Sequence, residues 1–153
     1  MLILISLFSV LSMVALDQFT KTLISEKYLV GESRTVIEGF FRITHVHNTG
    51  AGFSILQGHR ELFLAITVVA LIAFLYLLYK SETVLSRVAL LLMIGGTIGN
   101  FIDRLLHTYV IDFLDFLIFG YDFPVFNIAD SFLTIGVFLL IIDMIRSERH
   151  AKA

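Results

Sequence analysis

Four aspartates lie within one of the most apolar stretches of the chain, "VIDFLDFLIFGYDFPVFNIADS" at residues 110–131, namely Asp112, Asp115, Asp122 and Asp130. Two carboxyl groups that are held together away from bulk water resist double ionisation and tend to share one proton. Such a pair supplies a base and an acid together, which suits the hydrolysis of a peptide bond by water without a metal. An aspartyl hydrolase is therefore one interpretation of this stretch.

Asp112 and Asp130 can form such a pair only if the segments that carry them pack as neighbours across a short connection. Asp130 lies three residues after Asn127 at the start of an apolar segment, where a carboxylate can also simply stabilise a helix N-terminus. Asp112 can equally be an acid that faces water at the membrane boundary. Spacing alone leaves three competitors for the role: Asp103, Asp115 and Asp122.

Two short polar motifs earlier in the chain are further candidates for chemistry. In "LDQFTK", Asp17 and Lys21 are four residues apart and share one helix face, either as a local ion pair or as part of a site. The motif "NTGAGFS" at residues 48–54 is small and polar, and its glycines permit a tight turn with exposed backbone N–H groups. Such a turn can hold a peptide or merely lead the chain back into the membrane.

The motif "GGTIGNFIDRL" combines small residues with polar ones. Gly95 and Gly99 have the spacing that lets a neighbouring helix approach closely. Asn100, Asp103 and Arg104 follow at offsets of three and four, so they share a helix face. The motif therefore predicts either helix packing with local charge neutralisation or one wall of a site.

The elements that position these residues are predicted to be membrane spans. The chain has 153 residues, of which 58% are hydrophobic and only 16% charged, whereas soluble domains carry about 25% charged residues. A hydrocarbon core of about 30 Å needs roughly 20 helical residues, and four apolar segments are long enough or nearly so: 2–24, 61–79, 84–106 and 128–145. We interpret residues 1–153 as a single four-span domain, and the first span as retained because it lacks a basic leader and a usual cleavage site.

Composition also excludes several classes of function. Without cysteine, the chain cannot form disulfides, thiolate metal sites or a cysteine nucleophile. Its net charge of −2, with no clustered basic face, argues against nucleic-acid binding. His45 and His47 would share a strand face, but no H-E-x-x-H motif or third ligand accompanies them, so we expect no metal.

Basic residues near the span ends predict the orientation, because Lys and Arg prefer the cytoplasmic side. Such residues follow the second span and end the chain: Lys80, Arg87, Arg146, Arg149 and Lys152. Both termini are then cytoplasmic, and loops 25–60 and 107–127 lie outside. The first outer loop also carries four basic residues, accompanied by four glutamates: Lys27, Arg34, Arg42 and Arg60 with Glu26, Glu32, Glu38 and Glu61.

The first outer loop contains "RTVIEGFFRITHVHN", which is rich in β-branched and aromatic residues and roughly alternates. This pattern favours short strands with a turn or bulge at Gly39; the alternative is a solvated loop. The predicted fold class is thus a mainly α membrane protein, with four transmembrane helices and a small extracytoplasmic β-element on the membrane surface.

Taken in order, "LDQFTK", "NTGAGFS", "GGTIGNFIDR", "YVIDFLDF" and "FNIADS" resemble the motifs of bacterial lipoprotein signal peptidase, also called signal peptidase II, over nearly the whole chain. The resemblance implies a four-span aspartyl endopeptidase of the bacterial cytoplasmic membrane, with its active site at the outer face. Its substrates would be prolipoproteins, cut before a cysteine that already carries diacylglycerol. No cofactor is implied, membrane lipid is the other partner, and we expect a monomer.

By motif position, the resemblance implies that Asp112 and Asp130 are the catalytic pair. It also implies substrate-binding or supporting roles for nine other residues: Asp17, Lys21, Asn48, Gly50, Asn100, Asp103, Arg104, Asn127 and Ala129. One departure is Gly52, where the family more often has alanine. A non-enzymatic four-span scaffold or transporter subunit would explain the hydropathy equally well, but not the ordered motifs.

Overall fold

The computed structural model describes residues 2–50 and 59–151. Four long helices and four short strands follow one another along the chain: α1 (Leu2–Lys27), β1 (Ser33–Ile37), β2 (Phe41–Asn48), α2 (Arg60–Lys80), α3 (Val84–His107), β3 (Val110–Ile118), β4 (Tyr121–Asp122) and α4 (Ile128–Ala151). All four helices are long and apolar enough to cross a membrane. The predicted spans and the predicted fold class are therefore confirmed.

Helix α3 is the central helix of the bundle, and glycines let its neighbours come close. A Cβ atom at Gly95 would lie 3.1 Å from the Met13 side chain of α1, and one at Gly99 would lie 2.5 Å from Asp17 Oδ2. A side chain at Gly96 would meet the Ala129 carbonyl oxygen of α4. The predicted close approach at this motif is confirmed, and it brings α1 and α4 onto α3 beside the polar residues.

The four strands form one antiparallel sheet in the order β1-β2-β3-β4. The predicted strands of the first outer loop are β1 and β2, and Gly39 between them has φ 68°, which a glycine adopts without strain. Strand β3 was not predicted, because residues 107–127 were interpreted as a loop. It pairs with β2 so that Val46 faces Asp112 and Arg42 faces Asp115.

A small apolar core fastens the sheet to the bundle. Ile24 and Tyr28 at the end of α1 are buried against Ile111 and Phe113 of β3. Burial of large apolar side chains contributes roughly 1.5–3 kcal/mol each. Because Ile111 and Phe113 flank Asp112, this core holds the aspartate's strand in place.

The opposite end of the bundle has its own polar connection. Thr83 caps α3 by accepting a hydrogen bond from the Ser86 N–H at 3.0 Å. The hydroxyls of Thr83 and Ser86 both donate to Asp143 Oδ2 of α4, at 2.9 and 2.6 Å. The buried carboxylate of Asp143 is therefore explained by helix packing at the end remote from the sheet.

Candidate active site

Asp112 lies on β3 with only 2% of its surface exposed, and its hydrogen-bond donors are neutral amides. Asn48 Nδ2 of β2 donates to Asp112 Oδ2 at 2.8 Å. Asn127 Nδ2, just before α4, donates to Asp112 Oδ1 at 2.7 Å. These two bonds satisfy the carboxylate without placing a cation directly against it.

Asp130 lies in the first turn of α4 and exchanges hydrogen bonds with Asn127. The backbone N–H of Asn127 donates to Asp130 Oδ2 at 3.2 Å, and the backbone N–H of Asp130 donates to Asn127 Oδ1 at 2.9 Å. This reciprocal arrangement resembles a capping box. Asn100 Nδ2 of α3 completes the set by donating to Asp130 Oδ1 at 2.7 Å. Asp130 therefore stabilises the first turn of α4 and also faces the polar residues of α3.

The two carboxyl groups border one cavity of about 200 Å³. Asn48, Asn100 and Arg104 share its polar wall with Asp112 and Asp130. The opposite wall is mostly apolar and comes from the segment after β4: Phe123, Pro124, Val125 and Phe126. The cavity thus joins a pair of acids to an apolar surface at the sheet end of the bundle.

The pKa of Asp112 is displaced towards neutrality. Burial raises the pKa of this carboxyl to about 7, and the nearby charge of Asp130 adds to the rise. The hydrogen bonds from Asn48 and Asn127 and the charge of Lys21 offset part of it. Near neutral pH, Asp112 is therefore populated both with and without its proton.

Behind the cavity lies a buried ion cluster centred on Lys21, which is 1% exposed. Its ammonium contacts Asp17 Oδ2 at 2.8 Å, Asp103 Oδ2 at 3.0 Å and Asn100 Oδ1 at 3.0 Å. These three contacts match the three donors of an ammonium group. The local ion pair read from the sequence is thus present, but it also joins α1 to α3.

The acids of this cluster hold the beginnings of two elements. Asp17 Oδ1 accepts the Ala129 N–H at the start of α4, at 2.9 Å. Asp103 Oδ2 accepts the Ile111 N–H of β3, at 3.0 Å. Since Asp112 and Asp130 each follow one of these anchored residues, the cluster fixes the backbone from which both carboxyl groups project.

Arg104 connects the cavity to the turn after β2. Its Nη2 donates to the Gly50 carbonyl oxygen at 3.1 Å, and its guanidinium lies 4.9 Å from the Phe63 ring centroid. The Gly50 N–H in turn donates to Asn48 Oδ1 at 2.9 Å. The rest of the "NTGAGFS" motif, including Gly52, lies outside the described residues.

The competing aspartates lie elsewhere. Asp115 accepts two hydrogen bonds from Arg42 at 2.9 Å and one from Thr44, and Asp122 accepts from Arg42 Nη2 at 2.7 Å. Burial alone would raise the pKa of Asp115, but the bonds from Arg42 and Thr44 outweigh it and hold this pKa below its ordinary value. Asp103 belongs to the Lys21 cluster. Of these acids, the structure brings only Asp112 and Asp130 together among the residues described as lining the cavity.

The two histidines of β2 make packing and hydrogen-bond contacts with tyrosine residues next to the sheet. His45 is buried with Nδ1 2.8 Å from the Tyr28 carbonyl oxygen, and His47 stacks on Tyr109 with ring centroids 3.6 Å apart. Within residues 2–50 and 59–151, no group of three or more His, Cys, Asp or Glu side chains could hold a metal ion.

Three residues of this site region were not singled out from the sequence: Gln18, Arg60 and Phe63. Gln18 Nε2 donates to Asp103 Oδ1 at 2.8 Å and also reaches Asp17 Oδ2 at 3.2 Å. Arg60 donates to the carbonyl oxygens of the last turn of α3. Gln18 stands inside a quoted motif, but a lone glutamine, arginine or phenylalanine carries no spacing signal that would have identified it.

Comparisons with known proteins agree with one another. The family model described as signal peptidase (SPase) II matches residues 9–146. The chain is 44% identical to a lipoprotein signal peptidase of Staphylococcus carnosus, over 97% of this chain and 94% of that protein. It is 46% identical to one of Bacillus pumilus, over 92% of each.

Two solved structures are also similar, and both are described as bacterial membrane enzymes determined by the in meso method. One, at 2.3 Å resolution, has a TM-score of 0.88 and 44% identity, over 94% of this chain and 88% of that one. The other, at 1.9 Å resolution, has a TM-score of 0.83 and 45% identity, over 91% of each.

Proposed function

The chain belongs to the signal peptidase II family and removes signal peptides from prolipoproteins, and we propose that it does so as an aspartyl endopeptidase with Asp112 and Asp130 as its catalytic pair. One observation carries the proposal. Both carboxyl groups border the same cavity, and each is hydrogen-bonded to amides, with Asn127 joining the two. Neutral partners leave such a pair free to exchange a proton.

In the proposed mechanism, the two aspartates hold one proton between them. The ionised member takes a proton from a water molecule in the cavity, and the resulting nucleophile attacks the scissile carbonyl carbon while the protonated member donates to the carbonyl oxygen. Collapse of the tetrahedral intermediate then expels the amine, which takes a proton from the aspartate that accepted one from water. The other aspartate regains a proton from the diol hydroxyl whose oxygen becomes the new carbonyl, so the pair again holds one proton. No metal enters any of these steps.

The other predicted residues are proposed to support the pair. Asn48, Asn100 and Asn127 hold the carboxyl groups by direct hydrogen bonds. The remaining six brace them: Asp17, Lys21 and Asp103 through the buried cluster, Ala129 through its N–H, and Gly50 with Arg104 through the turn beside Asn48.

The cavity suits a substrate that is held at membrane depth. A diacylglyceryl anchor gains roughly 0.8 kcal/mol per buried CH₂, which keeps the cleavage site at the end of the bundle where the sheet lies. The apolar wall formed by residues 123–126 offers a surface for the lipid or for the signal peptide next to the cut.

We propose that this end of the bundle faces outward and that both termini are cytoplasmic. Lys80 and Arg87 lie at the opposite end, where positive charge favours the inside. Two of the basic residues at the sheet end have local partners: Arg42 is neutralised by Asp115 and Asp122, and Arg60 donates hydrogen bonds to carbonyl oxygens at the end of α3. The whole chain, residues 1–153, would then act as one domain and as a monomer.

Cleavage of a diacylglyceryl-modified precursor tests the proposal. Asp112→Asn and Asp130→Asn should each abolish cleavage while the protein still accumulates in the membrane, because an amide cannot exchange the shared proton. Asp143→Asn is the matched control, since this buried acid lies on the same helix as Asp130 but at the far end, and it should cleave normally. Normal cleavage by either of the first two variants would refute the assigned pair.

The lipid dependence is tested with the same precursor lacking diacylglycerol. We expect it to be cleaved far more slowly by the unchanged protein, because it lacks the anchor that holds the cut site at the cavity. Equal rates for the two precursors would refute that part of the proposal and leave the catalytic pair in place.

A further inference from the structure

Helix α2 has a single buried side chain, although the structure describes the helix over its full length. That residue is Phe63, whereas its neighbour Leu62 is 44% exposed, as expected for a side chain that faces lipid. This one buried aromatic ring of α2 lies against Arg104, which borders the cavity.

Phe63 and Arg60, which lie one turn apart on α2, contact the side chain and the backbone of Arg104 respectively. Arg60 Nε donates to the Arg104 carbonyl oxygen, and Arg60 Nη2 donates to the Leu105 carbonyl oxygen, both at 2.8 Å. The Phe63 ring lies against the Arg104 guanidinium, with 4.9 Å between the ring centroid and Cζ. This separation is within the range of cation–π attraction, which is strongest where water is excluded.

A chain of three hydrogen bonds connects the Arg104 guanidinium to Asp112. Arg104 donates to the Gly50 carbonyl oxygen at 3.1 Å, and the Gly50 N–H donates to Asn48 Oδ1 at 2.9 Å. Because the amide oxygen of Asn48 is taken by this N–H, its NH₂ group must face the other way. It donates to Asp112 Oδ2 at 2.8 Å.

We propose that Phe63 is a positioning residue for cleavage, which orients Asp112 through Arg104, Gly50 and Asn48. Without the ring, the guanidinium has several rotamers available, and its bond to Gly50 is made only part of the time. The turn then no longer fixes the Asn48 amide, so one of the two donors to Asp112 is lost in part. The inference rests on the proposed function, because it assigns the ring a role in orienting one of the two proposed catalytic acids.

Two substitutions separate the aromatic face from simple apolar bulk. Phe63→Leu keeps an apolar side chain but removes the ring, and Phe63→Tyr keeps the ring. We expect Phe63→Leu to lower kcat on the lipidated precursor roughly 5- to 30-fold, the factor that corresponds to one desolvated cation–π contact. KM should change by less than about twofold, because a misplaced catalytic acid affects the chemical step. Phe63→Tyr should retain most of the activity.

A second background keeps the test decisive if either variant also loses stability. In Arg104→Gln, the positive charge that the ring attracts is absent, so Phe63→Leu should cost less than about twofold further, since coupled residues are not additive. Leu62→Ala on the lipid-facing side of α2 should leave kcat unchanged. The level of each variant in the membrane and its thermal midpoint in detergent are measured alongside.

The proposal is overturned if Phe63→Leu cleaves at the unchanged rate, or if it costs the same factor in the Arg104→Gln background. Either result would make the ring a packing residue only. Asp112→Asn is assayed in the same series: an inactive Asp112→Asn beside a fully active Phe63→Leu refutes the role of the ring alone, whereas an active Asp112→Asn refutes the proposed function itself.

Discussion

Strand β3 carries two aspartates in contrasting surroundings. Asp112 and Asp115 are 2% and 4% exposed, yet burial raises the pKa of the first to about 7 while the pKa of the second lies below its ordinary value. Asp112 is bonded to amides, and Asp115 to the Arg42 guanidinium. Burial alone does not make a carboxyl group suited to proton transfer; the charge of its partner decides.

The strand geometry makes this contrast possible. Successive side chains of a strand point to opposite faces, so residues three apart face different environments. Asp112 faces the helices and the cavity, whereas Asp115 faces Arg42 of the neighbouring strand β2. In a helix, the same spacing would have placed both acids on one face.

The largest expected effect compares the two acids directly. Asp112→Asn should lower kcat by about 10²- to 10⁴-fold or more, the usual contribution of a general acid or base. Asp115→Asn should leave kcat within about threefold, because its carboxylate serves an ion pair in the sheet. Rates on a lipidated precursor decide between them, and equal losses in the two variants would contradict the contrast.

The pH dependence should follow Asp112 and not Asp115. We expect kcat/KM to fall as the pH rises through about 7, because the pair then loses its shared proton. The charged groups around Asp112 are Asp130 of α4, Lys21 of α1 and Arg104 of α3.

A substitution at Asn48 should move this falling limb. Asn48→Leu removes a hydrogen bond that favours ionised Asp112, so the limb should shift to higher pH. Asp115→Asn should leave the profile in place, and a limb that moved with Asp115→Asn would count against Asp112 as its source.

Removing the cation from Asp115 should affect stability more than catalysis. Arg42→Gln leaves a buried carboxylate without its charged partner, so we expect a lower free energy of unfolding. Since the pKa of Asp115 is depressed in the fold, its contribution is present above about pH 4 and is lost as the pH falls through the lower folded value. Unfolding in detergent should therefore show the full difference between Arg42→Gln and the unchanged protein at pH 7, and this difference should shrink as the pH is lowered below about 4.

The smallest effect is expected at the edge of the same ion-pair group. The Asp122 side chain is 69% exposed, so Asp122→Asn should cost less than about 1 kcal/mol, as exposed pairs do. Arg42 keeps its two bonds to Asp115 in this variant. A thermal midpoint lowered as far as that of Arg42→Gln would show that Asp122 matters as much as Asp115.

Hydropathy was sufficient to predict the four spans, because length and apolar content alone decide whether a helix can cross a membrane. The alternation of apolar and polar residues around Gly39 was sufficient to predict the strands β1 and β2. Strand β3 was missed because both of its faces carry apolar residues and its two aspartates point to opposite faces, so its sequence lacks the polar–apolar alternation that indicates a strand.

The site was less predictable from the residues themselves. Arg42 is 73 positions from Asp115, and Lys21 is 79 from Asn100, so the contacts that distinguish one aspartate from another are set by folding. The motif resemblance singled out Asp112 and Asp130, while spacing left five acids open. The support from Arg60 and Phe63 depends on how α2 meets the end of α3, which no local pattern encodes.

The hydrogen bonds between the asparagines and aspartates of the cavity wall limit which substitutions could block an inhibitor. Asn48, Asn100 and Asn127 each hold an aspartate, so a change there that excluded an inhibitor would also disturb the acids. Phe123 and Val125 border the same cavity through apolar surface. Escape from a compound bound between the acids should therefore arise at this apolar rim, and a compound that avoids the rim would leave the protein fewer viable substitutions.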